Sequence, residues 1–287
     1  MKPWNRIRTT KSLVIVSVVA LSFIIVAPAK AITWGWPDEG THPNVGAMVV
    51  RWSDSGELQQ VCSGTLIHPY LFLTAGHCTD YLEYVIDSGQ ITDIYVNFDR
   101  DALNEDTLRD VEFFHVITHP DYSTWAPLTH DVGVLILKEA VEDITPAILP
   151  REGFLDDLRA AGELRKGKEE ADFTVVGYGG ILDWPPPEMR YENERRYAFS
   201  EYQALLKSWL RMSQNQATGD GGTGYGDSGG PTFWTEPDGT EILVAVTSWG
   251  DGPCVSAEFN HRVDTSDTLD FIIPMMILAE EWLASSE

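Results

Sequence analysis

The sequence predicts an all-β protein made of two packed β-barrels, with an α-helix at its C-terminus. Three observations support this fold class. Short apolar or alternating segments separated by turns fill residues 45–141, and a second block of the same kind starts at residue 173. In Ser266–Ala284, apolar side chains recur at helical spacing. The 287 residues, 43% of them hydrophobic, are enough for one large domain or two small ones with a substantial core.

The first block contains five segments with strand patterns. Val45–Trp52 is mostly apolar, and Val61–Thr74 mixes small, polar and apolar residues. Tyr95–Phe98 and Val111–Thr118 are rich in β-branched and aromatic side chains, as strands are. Val132–Leu137 is a continuous apolar run, which is typical of a buried strand. We therefore assign residues 32–150 to an N-terminal barrel.

The charged segment 151–170 is predicted to connect this barrel to a second one over residues 171–287. Phe173–Tyr178 and Ile242–Trp249 have strand patterns, whereas Trp184–Pro187 contains three prolines and is predicted to be a loop. Tyr197–Met212 is compatible with either helix or strand. The predicted C-terminal helix contains Pro274, which is unfavourable inside a helix.

The first 31 residues have the pattern of a secretory signal peptide. Four basic residues precede the apolar stretch Leu13–Ala27, and Ala29–Ala31 fits the small-x-small cleavage pattern. The alternative is an uncleaved membrane anchor, but 15 residues are short for a span of about 30 Å. We expect removal of residues 1–31, export to an oxidising compartment, and no stable membrane association afterwards.

The chain is strongly acidic, with 44 Asp and Glu against 20 Lys and Arg and a net charge of −24. Such a surface repels phosphates, so nucleic acids and anionic lipids are not expected as partners. The sequence has three cysteines, Cys62, Cys78 and Cys254, and their spacings do not fit a zinc site. An odd number in an exported protein leaves one cysteine free or bonded to another molecule.

The segment Gly226–Pro231, with sequence GDSGGP, is the most informative motif. Ser228 between glycines can be an exposed nucleophile beside amide groups that stabilise an oxyanion, although these residues are also turn formers. Activation of a serine requires a histidine oriented by a carboxylate. His77 in TAGHC and Asp131 before the apolar run Val132–Leu137 provide both, in the order His, Asp, Ser.

With these motifs the chain resembles the chymotrypsin/trypsin-type serine endopeptidases, and in particular their exported bacterial members. The resemblance covers nearly all of residues 32–275. Besides the three motifs, it rests on four shorter segments, namely Ser63–Ile67, His119–Tyr122, Val176–Gly179 and Ser248–Gly250.

The resemblance implies two antiparallel six-stranded barrels, with the active site between them. It implies that Ser228 is the nucleophile, His77 the general base and acid, and Asp131 the residue that orients His77. The amides of Gly226 and Ser228 would form the oxyanion hole, and Ser248, Trp249 and Gly250 would pair with a polypeptide substrate. No cofactor and no metal are implied.

The same resemblance pairs Cys62 with Cys78 in a disulfide. It leaves Cys254 without its usual partner, because Gly224 occupies that position, so Cys254 is expected to be a free thiol or an intermolecular link. At the base of the specificity pocket stand Gly222 and Thr223, which favour a neutral or apolar pocket. A basic preference through a displaced acid, Glu258 or Asp220, remains the alternative.

Activation in the family depends on a new N-terminus that pairs with the Asp before the catalytic Ser. Ile32–Gly35 resembles that N-terminal motif, and Asp227 is the matching acid. Because Ile32 directly follows the predicted signal cleavage, with no room left for a propeptide, we expect signal peptidase itself to create the working N-terminus.

Two other function classes are alternatives for this sequence. GDSGG also fits the G-x-S-x-G motif of α/β-hydrolase esterases, but their Asp and His follow the Ser and a helix follows the nucleophile. A non-catalytic binding protein on the protease scaffold is the second alternative, and fluorophosphonate labelling would distinguish it from an enzyme.

Overall fold

The computed structural model describes residues 32–125, 129–167, 173–183 and 188–284. The predicted signal peptide, residues 1–31, lies outside these residues. Among the described residues, no helix is both long enough and apolar enough to cross a membrane.

The first half is a closed barrel of six antiparallel strands, as predicted. Its core combines fully buried strands, such as Leu71–Thr74 and Gly133–Leu137, with strands in which buried and exposed residues alternate. A two-residue strand, β1 (Trp36–Pro37), precedes the barrel in the chain. The barrel strands are β2 (Val45–Trp52), β3 (Leu58–His68), β4 (Leu71–Thr74), β5 (Ile91–Asn97), β6 (Leu108–Thr118) and β7 (Gly133–Leu137). They are hydrogen-bonded in the order β2-β3-β4-β7-β6-β5, and β5 pairs with β2 to close the ring.

Helix α1 (Gly76–Asp87) follows β4, where no helix was predicted. Its buried residues Cys78, Leu82 and Val85 recur at helical spacing and join the barrel core. The helix therefore packs on the barrel core and carries His77 in its first turn.

The second half is an eight-stranded antiparallel sheet that includes β1. Its other strands are β8 (Phe173–Gly177), β11 (Arg196–Ser200), β12 (Tyr202–Leu205), β13 (Trp209–Ser213), β14 (Pro231–Thr235), β15 (Glu241–Gly250) and β16 (Ala257–Arg262). They are hydrogen-bonded in the order β1-β11-β8-β14-β15-β16-β13-β12, and a separate hairpin contains β9 (Ile181–Asp183) and β10 (Glu188–Arg190). Only Glu201 separates β11 from β12 in the chain, so the sheet must curl until these two strands meet. The structure thus places a curled sheet where a second hydrogen-bonded six-stranded barrel was predicted.

The structure distinguishes between two pairs of alternatives that the sequence left open. The segment Tyr197–Met212 consists of strands rather than helix. All strand ladders of the described residues are antiparallel, and strand β14 rather than a helix follows Ser228. This topology does not support the α/β-hydrolase alternative.

Two helices outside the sheets complete the fold. The predicted connector contains the short helix α2 (Phe154–Ala161), whose Leu155 packs on the second sheet. The predicted C-terminal helix is present as α3 (Ser266–Ala284). Its buried Leu269 and Ile272 share a core with Leu71 of the first barrel, so the chain end holds the two halves together.

Candidate active site

The pairing of β4 with β7 brings His77 and Asp131 together. Thr74 lies opposite Gly133 in this ladder, so the residues just after β4 and just before β7 emerge at the same end of the barrel. The His77 backbone N–H donates to Oδ1 of Asp131 at 2.8 Å, and Nδ1 of His77 lies 3.0 Å from Oδ2. The carboxylate therefore fixes both the main chain and the ring of His77.

Asp131 is fully buried, whereas 30% of the His77 side chain is exposed. Burial alone would raise the pKa of Asp131, but the charge and hydrogen bonds of His77 outweigh it and lower that pKa. Burial alone would lower the pKa of His77, but the charge of Asp131 raises it above its usual range. A proton on His77 is thus stabilised, as required of a base that holds a proton during a reaction.

Ser228 lies in the loop before β14 and lines the same cleft as His77. Its carbonyl accepts a hydrogen bond from the Ser63 amide at 2.8 Å, which attaches the loop to strand β3 of the first barrel. Within the described part of the chain, the Ser228 hydroxyl makes no hydrogen bond, including to His77. Such bonds are often long without substrate, so this geometry is compatible with a nucleophile and its base.

Two amide groups at the nucleophile belong to Gly226 and Ser228, which both line the cleft. The carbonyl of Tyr225 accepts from the Gly180 amide, and that of Asp227 accepts from the Gly230 amide, both at 2.8 Å. In a trans peptide the N–H points opposite the C=O, so the amides of Gly226 and Ser228 face away from these partners. Neither amide has an acceptor among the described residues. They can bind an anionic oxygen.

The Gly226 backbone has a φ of +97°, which only glycine adopts without strain. Its carbonyl accepts hydrogen bonds from Nε2 of Gln60 at 2.8 Å and from Oγ of Ser63 at 3.0 Å. The roles of Gln60 and Ser63, both on β3, were not predicted from the sequence. Their contribution depends on how the two halves pack and leaves no local pattern in the sequence.

The Asp227 carboxylate is fully buried and accepts from the amides of Gly179 at 2.7 Å and Gly224 at 2.8 Å. Burial raises its pKa to about 7. No cation among the described residues pairs with it, so none of these residues supplies a counter-charge to the carboxylate.

Ile32 is also fully buried, and the adjacent Thr33 forms a bridge with Gly222. In this uncut chain the Ile32 nitrogen is a peptide nitrogen and makes no hydrogen bond to Asp227. The pairing of an Ile32 amine with Asp227 therefore stays a prediction.

The cleft between the two halves has a volume of about 820 Å³. Of the residues predicted to bind substrate, Thr223, Ser248, Trp249 and Gly250 line it. Gly222 does not, because Gln214 covers it: a Cβ on Gly222 would lie 2.3 Å from Cγ of Gln214. The position of Gly222 in the sequence before Ser228 identifies the loop beside the cleft, but it cannot show that the Gln214 side chain packs against Gly222.

The predicted disulfide between Cys62 and Cys78 is confirmed, with Cα atoms 6.3 Å apart. It lies directly behind the nucleophile, since Sγ of Cys78 is 3.7 Å from the Ser228 carbonyl oxygen. Cys62, Cys78 and His77 cluster closely enough to suggest metal ligands, but the two sulfurs are bonded to each other and cannot act as thiolates.

Cys254 is a free, buried thiol that borders the cleft. Burial raises its pKa to about 11, which disfavours the thiolate needed for disulfide exchange. The structure therefore does not support the predicted alternative of an intermolecular disulfide through Cys254.

Comparisons with known proteins agree with this architecture. The chain matches the family model described as "Trypsin" over residues 38–272. It is also similar to a solved structure titled "HL collagenase structure at 1.7 Å resolution", with a TM-score of 0.57 and 18% sequence identity, covering 83% of this chain and 95% of that one. At this identity the structural match shows the fold alone.

Proposed function

The chain belongs to the trypsin family of serine peptidases, and from that premise we propose that it is a secreted endopeptidase that cleaves polypeptides with His77, Asp131 and Ser228. The observation that carries the proposal is the cleft itself. It brings the His77–Asp131 pair, with Nδ1 and Oδ2 3.0 Å apart, to the same cleft as the half-buried Ser228 and two amides that have no acceptor among the described residues.

In the proposed reaction, Oγ of Ser228 attacks the carbonyl carbon of the scissile bond while its proton moves to Nε2 of His77. The resulting oxyanion accepts hydrogen bonds from the amides of Gly226 and Ser228. Removing one such donor typically raises the barrier by about 3–4 kcal/mol. Collapse of the tetrahedral intermediate breaks the C–N bond, and His77 passes its proton to the leaving amine.

The acyl group is then an ester on Ser228. A water molecule gives a proton to His77 and attacks this ester, and the second tetrahedral intermediate releases the acid and restores the serine. Throughout, Asp131 keeps the ring of His77 in one orientation and stabilises its charged form. The strand segment Ser248–Gly250 borders the cleft and would pair with the substrate backbone.

Export and the working N-terminus belong to the same proposal. Residues 1–31 would be removed by signal peptidase, and the new Ile32 amine would supply the counter-charge that buried Asp227 lacks. The Ile32 φ of +49° supports cleavage at this bond, because a β-branched residue is strained there. Cutting the bond before Ile32 removes this constraint.

Fluorophosphonate labelling of the exported protein tests the proposal. We expect a single adduct on Ser228, whereas Ser228→Ala should remain unlabelled and lose at least about 10³-fold in kcat. The exposed Ser55 offers a matched control, and Ser55→Ala should be labelled normally. A folded chain without an adduct would favour a binding protein on the protease scaffold.

A further inference from the structure

Gln60 on strand β3 is a buried amide side chain at the wall of the cleft that takes no part in the proposed catalytic steps. Only 7% of the residue is exposed, and it lines the cleft together with Ser228. Its Nε2 donates two hydrogen bonds, both of 2.8 Å, to the carbonyl oxygens of Cys62 and Gly226. Because both partners can only accept, the NH2 end of the Gln60 amide must lie between them.

These two hydrogen bonds connect the two halves of the molecule. Cys62 lies on the same strand as Gln60 and is joined to Cys78 of helix α1 by the disulfide. Gly226 lies in the loop before β14, in the second half. The Gln60 side chain is therefore anchored on the first barrel and holds a carbonyl group of the loop that carries the nucleophile.

Gly226 lies between two peptide planes, and the first of them carries its amide. This plane is held by the second half, because the Tyr225 carbonyl accepts from the Gly180 amide at 2.8 Å. Without a side chain, however, glycine rotates about its backbone bonds more freely than other residues. Because the two planes share the Gly226 Cα, a movement of the second plane also moves the first. The direction of the Gly226 amide thus depends on how the second plane is held.

The second plane, between Gly226 and Asp227, is held mainly from the first barrel. Its carbonyl accepts from Nε2 of Gln60 at 2.8 Å and from Oγ of Ser63 at 3.0 Å. Its amide donates to the Gly224 carbonyl at 3.1 Å, within the same loop. A Cβ at Gly226 would lie 3.0 Å from Oε1 of Gln60, so the Gln60 amide also packs directly against this glycine.

From this geometry we propose that Gln60 is a positioning residue, which fixes the Gly226 peptide so that the Gly226 amide stays aligned with the oxyanion. The inference rests on the proposed peptidase function. Gln60 itself touches none of the reacting atoms. Its effect is largest where the oxyanion forms, because the carbonyl oxygen of a bound substrate carries less charge before the attack of the serine. Loss of Gln60 should therefore lower kcat rather than raise KM.

The kinetic test replaces Gln60 with methionine, which has a similar volume but no donor. We expect kcat for a peptide anilide to fall about 10- to 100-fold, with KM changed by less than about threefold. Affinity for a peptide boronic acid, which forms a tetrahedral adduct with Ser228, should fall by the same factor, whereas affinity for the product peptide should not. Gln60→Lys, which restores a donor, should recover part of kcat. Gln90→Met makes the same change at an exposed site and is the matched control.

A second measurement follows the Gly226 amide itself and needs no catalysis. The sequence contains two Tyr-Gly pairs, Tyr178–Gly179 and Tyr225–Gly226. Protein labelled with ¹³C at the tyrosine carbonyl and with ¹⁵N in glycine therefore gives carbonyl-filtered NMR signals from these two amides alone. We expect one sharp Gly226 signal in the wild type and a broadened or split one in Gln60→Met, because the peptide then samples more than one orientation. The Gly179 signal is the internal reference and should stay sharp.

The outcomes separate this inference from the proposed function. A folded Gln60→Met variant with wild-type kcat, or with equal losses of affinity for the boronic acid and the product peptide, would overturn the inference. So would a single sharp Gly226 signal in that variant. A broadened or split Gly226 signal in the wild type would overturn it even if no variant folds. The expected change of the Gly226 signal in a chain that hydrolyses no peptide would support the positioning of Gly226 while refuting the peptidase.

Discussion

The hydroxyl of Ser248 donates a hydrogen bond to Oδ2 of Asp131, the same oxygen that lies 3.0 Å from Nδ1 of His77. The other oxygen, Oδ1, accepts from the His77 backbone amide at 2.8 Å. Asp131 is thus held by donors from both halves of the molecule. Because Ser248 also borders the cleft, one residue connects the proposed substrate strand to the acid that orients the base.

Removing this hydroxyl should weaken catalysis without removing any proposed catalytic group. In Ser248→Ala the Asp131 carboxylate loses one donor and interacts more strongly with protonated His77, so the pKa of His77 should rise further. We expect kcat/KM to fall about tenfold. The acid limb of its pH profile should move to higher pH.

The pH profile of kcat/KM from pH 5 to 9 checks this expectation. Ser256→Ala, in the exposed turn after the same strand, is the control and should retain the wild-type profile. An acid limb at the wild-type position in Ser248→Ala would contradict the proposed link to His77.

The disulfide should account for a substantial part of the stability. It closes a loop of about 15 residues, for which chain-entropy reasoning gives about 3 kcal/mol. We expect the double variant Cys62→Ala/Cys78→Ala to lose free energy of unfolding in urea of about that size. It should also lose activity, because Cys78 contacts the Ser228 carbonyl. Cys254→Ala, which breaks no disulfide, should lose about 1 kcal/mol or less, and equal losses in both variants would contradict the expectation.

The sequence predicts a secondary-structure element well where the hydrophobic residues of a segment follow one clear pattern. Val132–Leu137 contains β7, and Ser266–Ala284 is a helix over that entire range. Helix α1 was missed although Cys78, Leu82 and Val85 have helical spacing, because it is short and follows directly after a strand. The curl of the second sheet was not predicted, because β11 and β12, which lie toward opposite edges of that sheet, are separated by Glu201 alone and read as one continuous segment.

The candidate site likewise contains some residues that local motifs identify and others that only three-dimensional packing brings into it. His77, Asp131 and Ser228 stand in local motifs, and the sequence alone identifies them. Gln60 could not be found in this way, because its partner Gly226 is 166 residues away and the contact exists only once the two halves pack. The covering of Gly222 by Gln214 likewise depends on three-dimensional packing, which spacing along the chain does not encode.

A buried histidine between two acids should make stability pH-dependent. Nδ1 of His42 lies 3.0 Å from Asp38, and Nε2 lies 3.3 Å from Glu241. Burial alone would lower the pKa of His42, but hydrogen bonds to these acids raise it to about 9. The folded-state pKa of His42 lies above its unfolded value of 6.5. His42 therefore contributes fully to the free energy of unfolding below pH 6.5, and this contribution is lost as the pH rises through 9.

We therefore expect the free energy of unfolding to fall by up to about 3 kcal/mol between pH 6 and 9.5 through this group. The His42→Gln variant should be less stable than the wild type at pH 6, but its free energy of unfolding should decline less between pH 6 and 9.5. Urea titrations at the two pH values measure both effects. Parallel declines in the variant and the wild type would show that His42 is not the responsible group.

The last prediction concerns the state of Asp227 before and after the bond preceding Ile32 is cut. In the uncut chain, burial raises the pKa of Asp227 from 3.8 to about 7, and no described cation pairs with the carboxylate. Because the folded-state pKa is raised, Asp227 does not lower the free energy of unfolding below pH 3.8. Its ionisation lowers that free energy as the pH rises toward 7. After cutting, the Ile32 amine should pair with the carboxylate and reverse this loss. An α-amine has an ordinary pKa of about 7.7–8.0, which the pairing should raise.

The mature chain should consequently be stable and active at pH 7, and both properties should decline only as the pH rises through the raised pKa of the amine. A chain with one extra alanine before Ile32 should lose stability between pH 4 and 7 and have little activity. Urea unfolding and anilide hydrolysis across pH 4–10 compare the two forms, with Ile32→Val as a control that keeps the amine. Asp227→Asn should abolish the difference between the forms. Equal activity in the mature and extended chains, or an N-terminus other than Ile32 on the exported protein, would refute activation by signal cleavage.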